Sequence, residues 1–137
     1  MANTAFQDRL PQNPQYKKVT KTFTNFSAAA LTNDIEIYSL PANGVLRVVI
    51  QDVATTFSGG TIATYTISVG IAGQLALFAI AFDVKTGVVN TQATDNIYIN
   101  KTGAAVSIRA AAITTVANLD AATQGAINFH LEISQLL

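Results

Sequence analysis

The sequence lacks cysteine and tryptophan altogether among its 137 residues. Without cysteine the chain can form no disulfide, no thiolate metal site and no cysteine nucleophile. The missing tryptophan also matters, because immunoglobulin domains pack a core tryptophan against a disulfide. Stability must therefore come from packing, and among all-β folds the immunoglobulin-like sandwich is less well supported than the jelly roll.

Charged side chains are also scarce. Eight Lys and Arg balance eight Asp and Glu, and together they make up 12% of the chain, against about 25% in ordinary soluble domains. With no net charge, no long-range field attracts nucleic acid or an anionic membrane, so neither is expected as a partner. Much of the surface must consist of Ala, Thr, Ser, Asn and Gln, as in proteins that pack side by side in an assembly.

A long uncharged run, residues 53–82, raises the question of a membrane span. Thr64, Thr66 and Ser68 recur at every second position within it, and its continuous apolar part, residues 75–82, is eight residues long. A spanning helix needs about 20 predominantly apolar residues, whereas polar residues with a period of two are typical of a strand with one face in water. The run therefore predicts strands packed inside a domain.

Alternation with a period of two continues through most of the chain after Lys18 and predicts strands. The last strand alternates most cleanly. Its inward set is predicted to be Ile127, Phe129, Leu131 and Ile133, and its outward set Asn128, His130, Glu132 and Ser134. Residues 45–57 are long enough for a central strand. Its predicted faces are Leu46, Val48 and Ile50 on one side and Val45, Arg47, Val49, Gln51 and Val53 on the other.

Seven or eight such strands, with turn signals about every ten residues and no long amphipathic helix, predict an all-β fold. We interpret it as an antiparallel two-sheet β-sandwich, jelly-roll-like, over residues 18–137. Residues 1–17 hold Pro11 and Pro14 and show no period of 2 or 3.6, so they are predicted to form an extended N-terminal arm.

No residue cluster predicts catalysis. His130 is the single histidine and lies two residues from Glu132, a spacing that on a strand is typical of a solvated face rather than a metal site. The sequence has no G-x-S-x-G nucleophile elbow and no G-x-x-x-x-G-K-[ST] phosphate loop. We therefore predict no catalytic residues, no metal ligands, no cofactor and no enzymatic activity.

The order of several short motifs resembles that of small virion structural proteins of tailed bacteriophages. The resemblance spans residues 30–134 and is carried by a Leu-Pro turn, a Thr-Phe-Ser-Gly-Gly hairpin, an "SVG" strand end and an L-x-A-x-T-x-G approach to the last strand. These motifs lie at Leu40, at residues 56–60, at residues 68–70 and at residues 119–125. They are signatures of a fold and carry no catalytic residues.

The resemblance implies a non-enzymatic virion protein, assembled in the host cytoplasm, of the capsid decoration, head-fibre or tail accessory type. The leading interpretation is a decoration protein that attaches to the lattice of the major capsid protein. Self-association is expected from the weakly charged surface, with a trimer as the leading state. The alternative is a head-fibre or tail accessory module that binds a ligand such as surface carbohydrate through the aromatic residues Tyr38, Tyr98 or Phe57.

The arm and the residues that follow it are the predicted partner-binding site. Its members are Phe6, Arg9, Leu10, Tyr16, Lys17 and Lys18. The three apolar side chains are predicted to fill grooves on a neighbouring subunit, and the three basic ones to pair with acidic residues at the rim. The arm is too polar to order itself, so we expect it to be disordered in the free protein. A flexible tail without a role is the competing interpretation.

Overall fold

The computed structural model describes residues 14–86, 91–94 and 97–136. In these ranges the chain forms nine strands, one short α-helix and a 3₁₀ turn. In chain order they are β1 (Gln15–Thr22), α1 (Phe23–Phe26), β2 (Thr32–Leu40), β3 (Gly44–Ser58), β4 (Thr64–Ile71), β5 (Gln74–Asp83), β6 (Thr91–Thr94), β7 (Tyr98–Ile99), β8 (Val106–Thr115), the 3₁₀ turn (Leu119–Ala121) and β9 (Gln124–Gln135).

The strands form two antiparallel sheets. The first sheet has the order β1-β9-β3-β6, with β7 also pairing with β3 beside β6, and the second has the order β2-β8-β4-β5. The pairs are nested: β1 with β9, β2 with β8, β3 with β6 and β7, and β4 with β5. A long hairpin rolled up in this way is the jelly roll, so the predicted fold class is confirmed.

The last strand, β9, lies inside the first sheet between β1 and β3. Its four predicted inward residues are all buried in the core between the sheets. Alternation is clean here because both neighbouring strands hold β9 in one register, and a slip by one residue would turn the whole apolar set toward water.

The first strand begins earlier than the predicted end of the arm. Gln15 pairs with Ile133 and Lys17 with Leu131, so residues 15–17 are part of the first sheet. Backbone pairing with β9 needs no apolar alternation in β1, whose residues are mostly exposed. Residues 1–13, the rest of the predicted arm, lie outside the described residues.

The central strand β3 departs from the predicted faces at its start. The register against β9 shifts between Leu46 and Val48, which places a β-bulge at Arg47. Val45 and Leu46 are therefore both buried and Arg47 is exposed. The predicted grouping of Arg47 with Val49 is wrong, because the bulge inserts one residue and reverses the phase of the alternation.

The uncharged run forms the end of β3, all of β4 and nearly all of β5. Within β4, Tyr65, Ile67 and Val69, which alternate with the three polar residues named above, are buried in the core. Across the described ranges, no helix has the length and apolar character that a membrane span requires.

Two of the motifs that carry the resemblance meet at one end of the sandwich. Phe57, in the Thr-Phe-Ser-Gly-Gly hairpin, is fully buried and contacts the rings of Phe26 and Tyr65 with centroid distances of 6.2 and 4.9 Å. Gly125 lies directly beneath it: a Cβ there would stand 2.3 Å from Cδ2 of Phe57, and φ of Gly125 is +147°. The glycine is needed for the ring to pack against the start of β9.

The opposite end is held together by Asn100. Its side chain is fully buried, and Nδ2 lies 3.0 Å from the carbonyl oxygens of Leu40 and Pro41 and 2.7 Å from that of Ala104. Its Oδ1 accepts hydrogen bonds from the backbone N–H and the hydroxyl of Thr102. One amide thus ties the β2–β3 turn to the loop before β8.

Candidate docking surfaces

The described part of the predicted partner-binding site lies along β1, an edge strand of the first sheet. Tyr16 is 74% exposed, and its hydroxyl donates a hydrogen bond to Oε1 of Glu132 at 2.7 Å. This bond to a carboxylate raises the pKa of Tyr16, and the negative charge of Glu132 adds to the effect. Lys17 and Lys18 are exposed. The other three predicted residues, Phe6, Arg9 and Leu10, lie outside the described residues.

The outer face of the first sheet is a network of paired polar side chains. The carboxylate that accepts from Tyr16 also lies 3.2 Å from Nε of Arg47. On the same face, Nε2 of His130 lies 3.7 Å from Oδ2 of Asp52, and His130 pairs across the strands with Lys18. His130 and Glu132 therefore contact different side chains, which is typical of residues on a solvated face. Nowhere in the described ranges do three His, Cys, Asp or Glu side chains come close enough to hold a metal ion.

The outer face of the second sheet has a different character. It carries a groove of about 550 Å³ between its edge strands β2 and β5. The residues around this groove are mostly small or apolar. They are Thr32, Asn33 and Asp34 on β2, Ser68 on β4, Leu75, Ala76 and Ala81 on β5, and Ala111, Ala112 and Ile113 on β8.

The β5 side of the groove is built by a close backbone approach at Gly70. A Cβ at Gly70 would stand 2.0 Å from the carbonyl oxygen of Gln74 and 2.6 Å from the carbonyl carbon of Leu75. The start of β5 can therefore fold over the outer face of β4 only because residue 70 has no side chain. Ser68 then donates a hydrogen bond to the carbonyl oxygen of Leu75 at 2.8 Å, which fixes that fold.

Three of the polar side chains around the groove have partners within the chain. Besides Ser68, Asp34 accepts a charge-assisted hydrogen bond from Nε of Arg109 at 2.5 Å, and Nδ2 of Asn33 donates to the carbonyl oxygen of Phe26 at 3.3 Å. Ala111 is 5% exposed although it lies on the outer face of the sheet. The groove therefore presents mainly apolar surface, with few polar atoms available to a ligand.

Sequence reasoning missed this groove. Its lining comes from four separate strands, and its depth depends on the backbone approach at Gly70. The available signal was the run of small uncharged residues at outward positions of β5 and β8, where a solvated strand usually carries charged or long polar side chains.

The aromatic residues proposed for carbohydrate binding are poorly placed for it. Phe57 is fully buried beneath the sandwich end, so its assignment as a ligand-binding residue is wrong. Tyr38 and Tyr98 are half-buried and pack against the core, and Tyr98 makes an edge contact with Phe78 at a centroid distance of 5.3 Å. No aromatic platform is formed by these three side chains.

Solved structures of phage capsids share this fold. A chain of the cyanophage Pam1 capsid asymmetric unit matches with a TM-score of 0.67 over 93% of this chain and 88% of that one, at 16% identity. A chain from the acid-stable capsid of Helicobacter pylori bacteriophage KHP30 gives 0.57, with 90% of each chain covered and 13% identity. A chain from the capsid of Ralstonia phage GP4 gives 0.56, with 93% and 88% covered and 19% identity.

No known family and no curated protein matches the sequence. At the identities above, the likeness to the three capsid chains is one of fold. It extends over almost the whole length of the compared chains, so the jelly roll is matched as a whole.

Proposed function

We propose that the protein is a non-enzymatic virion structural protein of a bacteriophage and that it decorates the capsid by attaching to the lattice of the major capsid protein. The observation that carries this proposal is the complete jelly roll shared with chains from three phage capsids. Fold alone does not determine function, so the proposal also draws on the surfaces of this chain.

Two surface features support a role in a repetitive assembly. The charged residues are few, and the eight basic ones balance the eight acidic ones, which leaves no strong field to attract a highly charged ligand. The second sheet exposes an apolar groove, of the kind that marks protein interaction sites. Both features suit a protein that packs beside copies of itself on a shell, and we propose a homo-oligomer, with a trimer as the leading state.

The proposed attachment residues are Phe6, Arg9, Leu10, Tyr16, Lys17 and Lys18. In this proposal the apolar members supply most of the affinity by filling grooves on neighbouring subunits. The basic members supply orientation and salt dependence, since rim charges act mainly on the rate of association. The exposure of Tyr16, Lys17 and Lys18 along a sheet edge is compatible with this division.

A sedimentation experiment tests the proposal. Purified protein is mixed with capsid shells that lack it, and the pelleted protein is quantified against concentration and salt. We expect saturable binding with a fixed number of copies per shell, and no binding to isolated tails. Replacing both Lys17 and Lys18 with Ala should reduce the salt dependence of binding, whereas Lys101→Ala, at another exposed lysine, should not.

The opposite result would favour the alternative function. If the protein does not pellet with shells but binds a defined glycan on an array, it is an accessory module that recognises carbohydrate, and the decoration role is wrong.

A further inference from the structure

The groove on the second sheet is suited to an apolar binding partner. Its volume of about 550 Å³ falls within the range of pockets that enclose a ligand and leaves room for more than one side chain. Because Ser68, Asn33 and Asp34 already have partners within the chain, a sugar or other polar ligand would find few free hydrogen-bonding groups there. Apolar side chains need no such groups and would be favoured there.

We propose that the groove receives Phe6 and Leu10 from the N-terminal arm of a second copy of this chain. This inference deepens the proposed function, from which it takes the role of the arm, by naming the subunit and the surface that the arm binds.

The spacing of the two arm residues suits the groove. In an extended segment, residues 6 and 10 point to the same side and lie about 13 Å apart. Along the row formed by Asp34, Ala111, Ser68 and Ala81 the groove crosses all four strands of the sheet, so its ends on β2 and β5 are about 14 Å apart there. An extended arm that crosses the sheet can thus place both anchors within the width of the groove.

The arm leaves the sandwich at the end remote from its own groove. Gln15 pairs with Ile133, and the neighbouring pair of Gly44 with Gln135 places this end beside the turn that follows Leu40. The groove instead lies beside residues 32–34, at the opposite end of β2. The way over the sandwich edge is about 30 Å, given the rise per residue and the spacing of stacked sheets.

Reach therefore favours a second copy. The eight residues from Phe6 to Pro14 span at most about 26–29 Å, so within one chain Phe6 would approach the groove only with the arm fully stretched. A neighbouring copy can instead lie with its Pro14 closer to the groove, so its arm can reach the groove without being fully stretched. Each copy donates one arm and receives one, so a closed ring leaves no groove empty.

The absence of cysteine makes a direct test possible. Two single variants, Phe6→Cys and Ile113→Cys, are prepared as full chains with tags of different mass, mixed, and oxidised by a copper–phenanthroline catalyst with air. Ile113 is 43% exposed at the groove, so the substitution should not disturb folding. Ile97→Cys is the matched control, because Ile97 is 59% exposed, directly precedes β7 of the first sheet and is not among the residues around the groove.

We expect the mixed disulfide dimer of Phe6→Cys with Ile113→Cys to form at least five times more than the dimer of Phe6→Cys with Ile97→Cys. Equal yields would overturn the proposal. A disulfide that forms only within one chain, in a variant carrying both substitutions, would overturn the second copy as the donor.

A second pair of variants guards against a local effect of cysteine. Ile113→Glu and Ala81→Arg each place a charge in the groove at a partly or fully exposed position, and each should weaken self-association of the full chain at least tenfold. Unchanged association in both would contradict the proposal. Capsid shells are absent from these assays. A failed cross-link therefore does not contradict the decoration role, and a failure to attach to shells does not contradict the docking of the arm in the groove.

Discussion

The two outer faces of the sandwich use their side chains differently. On the first sheet, Glu132 accepts from Tyr16 and pairs with Arg47, and His130 faces Asp52. On the second sheet, small residues such as Ala81 and Ala111 line a groove in which three polar side chains, those of Asn33, Asp34 and Ser68, have partners within the chain.

The difference indicates which face is suited to a partner. Polar side chains that pair with each other across a sheet are stable in water and contribute little to binding when exposed. An apolar depression exposed to water is costly to leave uncovered, and proteins usually keep such surface for an interaction. In the proposed assembly the groove of the second sheet docks another copy, the edge strand β1 of the first sheet contributes Tyr16, Lys17 and Lys18 to attachment, and the rest of the first sheet's outer face stays in water.

The largest loss of stability is expected from a substitution at one end of the sandwich, outside both outer faces. Asn100→Asp removes the two donor hydrogens that serve three carbonyl oxygens and leaves a buried carboxylate facing them. We expect a loss of about 4 kcal/mol in the free energy of unfolding, measured in urea. Asn25→Asp is the control: Asn25 uses its Oδ1 to accept from the N–H of Thr22, which an aspartate can still do, so its cost should stay under about 0.5 kcal/mol. Similar losses in both variants would contradict the role of Asn100.

The second largest loss of stability is expected at Gly70, which shapes the groove of the second sheet. Gly70→Ala should cost about 3 kcal/mol, because its Cβ would overlap the backbone of Gln74 and Leu75. Gly73→Ala, in the same hairpin, meets open space at φ +84° and should cost only about 1 kcal/mol for the left-handed backbone. Calorimetric unfolding measures both, and equal costs would show that the approach at Gly70 does not hold the groove wall.

The third effect separates binding from stability. Ile113→Glu should raise the dissociation constant of self-association at least tenfold, or about 1.4 kcal/mol, by placing a charge in the apolar groove. Its free energy of unfolding should change by less than about 0.5 kcal/mol, since Ile113 is partly exposed. Thr20→Glu makes the same insertion on the outer face of the first sheet and should leave association unchanged by analytical ultracentrifugation. A larger effect from Thr20→Glu would reverse the assignment of the two faces.

The fourth effect concerns the core between the faces. The hydroxyl of Tyr65 is buried with no hydrogen-bond partner among the described residues, so Tyr65→Phe should stabilise the fold by about 1 kcal/mol. Burial also raises the pKa of Tyr65. Above about pH 10 the unfolded chain then loses this proton before the folded chain does, and stability falls as pH rises. The phenylalanine variant should lose part of that alkaline sensitivity, and destabilisation at neutral pH would show that the hydroxyl has a partner.

The smallest effect is expected on the solvated face. Glu132→Gln removes the charge that pairs with Arg47, whose side chain is 48% exposed, so the cost should be under about 1 kcal/mol and should vanish at high salt. The pKa of Tyr16 should fall toward its ordinary value, as followed by ultraviolet titration, because the anionic acceptor that raises it is gone. A loss of several kcal/mol in the free energy of unfolding would mean that the polar pairs on this face are essential to the stability of the fold.

Much of the fold could be predicted because local patterning agrees with the final structure. The inward set of β9 and the buried residues of β4 follow directly from alternation, which burial on one side of a sheet enforces. The bulge at Arg47 could not be foreseen, since an inserted residue leaves no mark in composition. The start of β1 at Gln15 was missed for a related reason: a polar edge strand is held by its backbone and shows no apolar period.

The candidate site was less predictable than the fold. Tyr16, Lys17 and Lys18 could be singled out from sequence because they cluster near a predicted boundary. The groove could not, because Ser68, Leu75 and Ala111 come together only after the strands pair and the chain folds over Gly70. Contacts between residues distant in sequence depend on topology, which a pattern along the chain does not contain.

One deletion tests the proposed attachment most directly. Removing residues 2–13 leaves Pro14 and the whole of β1 in place, so the free energy of unfolding should stay within about 0.5 kcal/mol of that of the full chain. Occupancy of capsid shells, measured by sedimentation at increasing protein concentration, should require at least ten times more of the shortened chain, because copies on the shell would no longer be tied to their neighbours. A shortened chain that folds and fills the shells at the same concentration as the full chain would contradict the attachment mechanism and remove the arm from it.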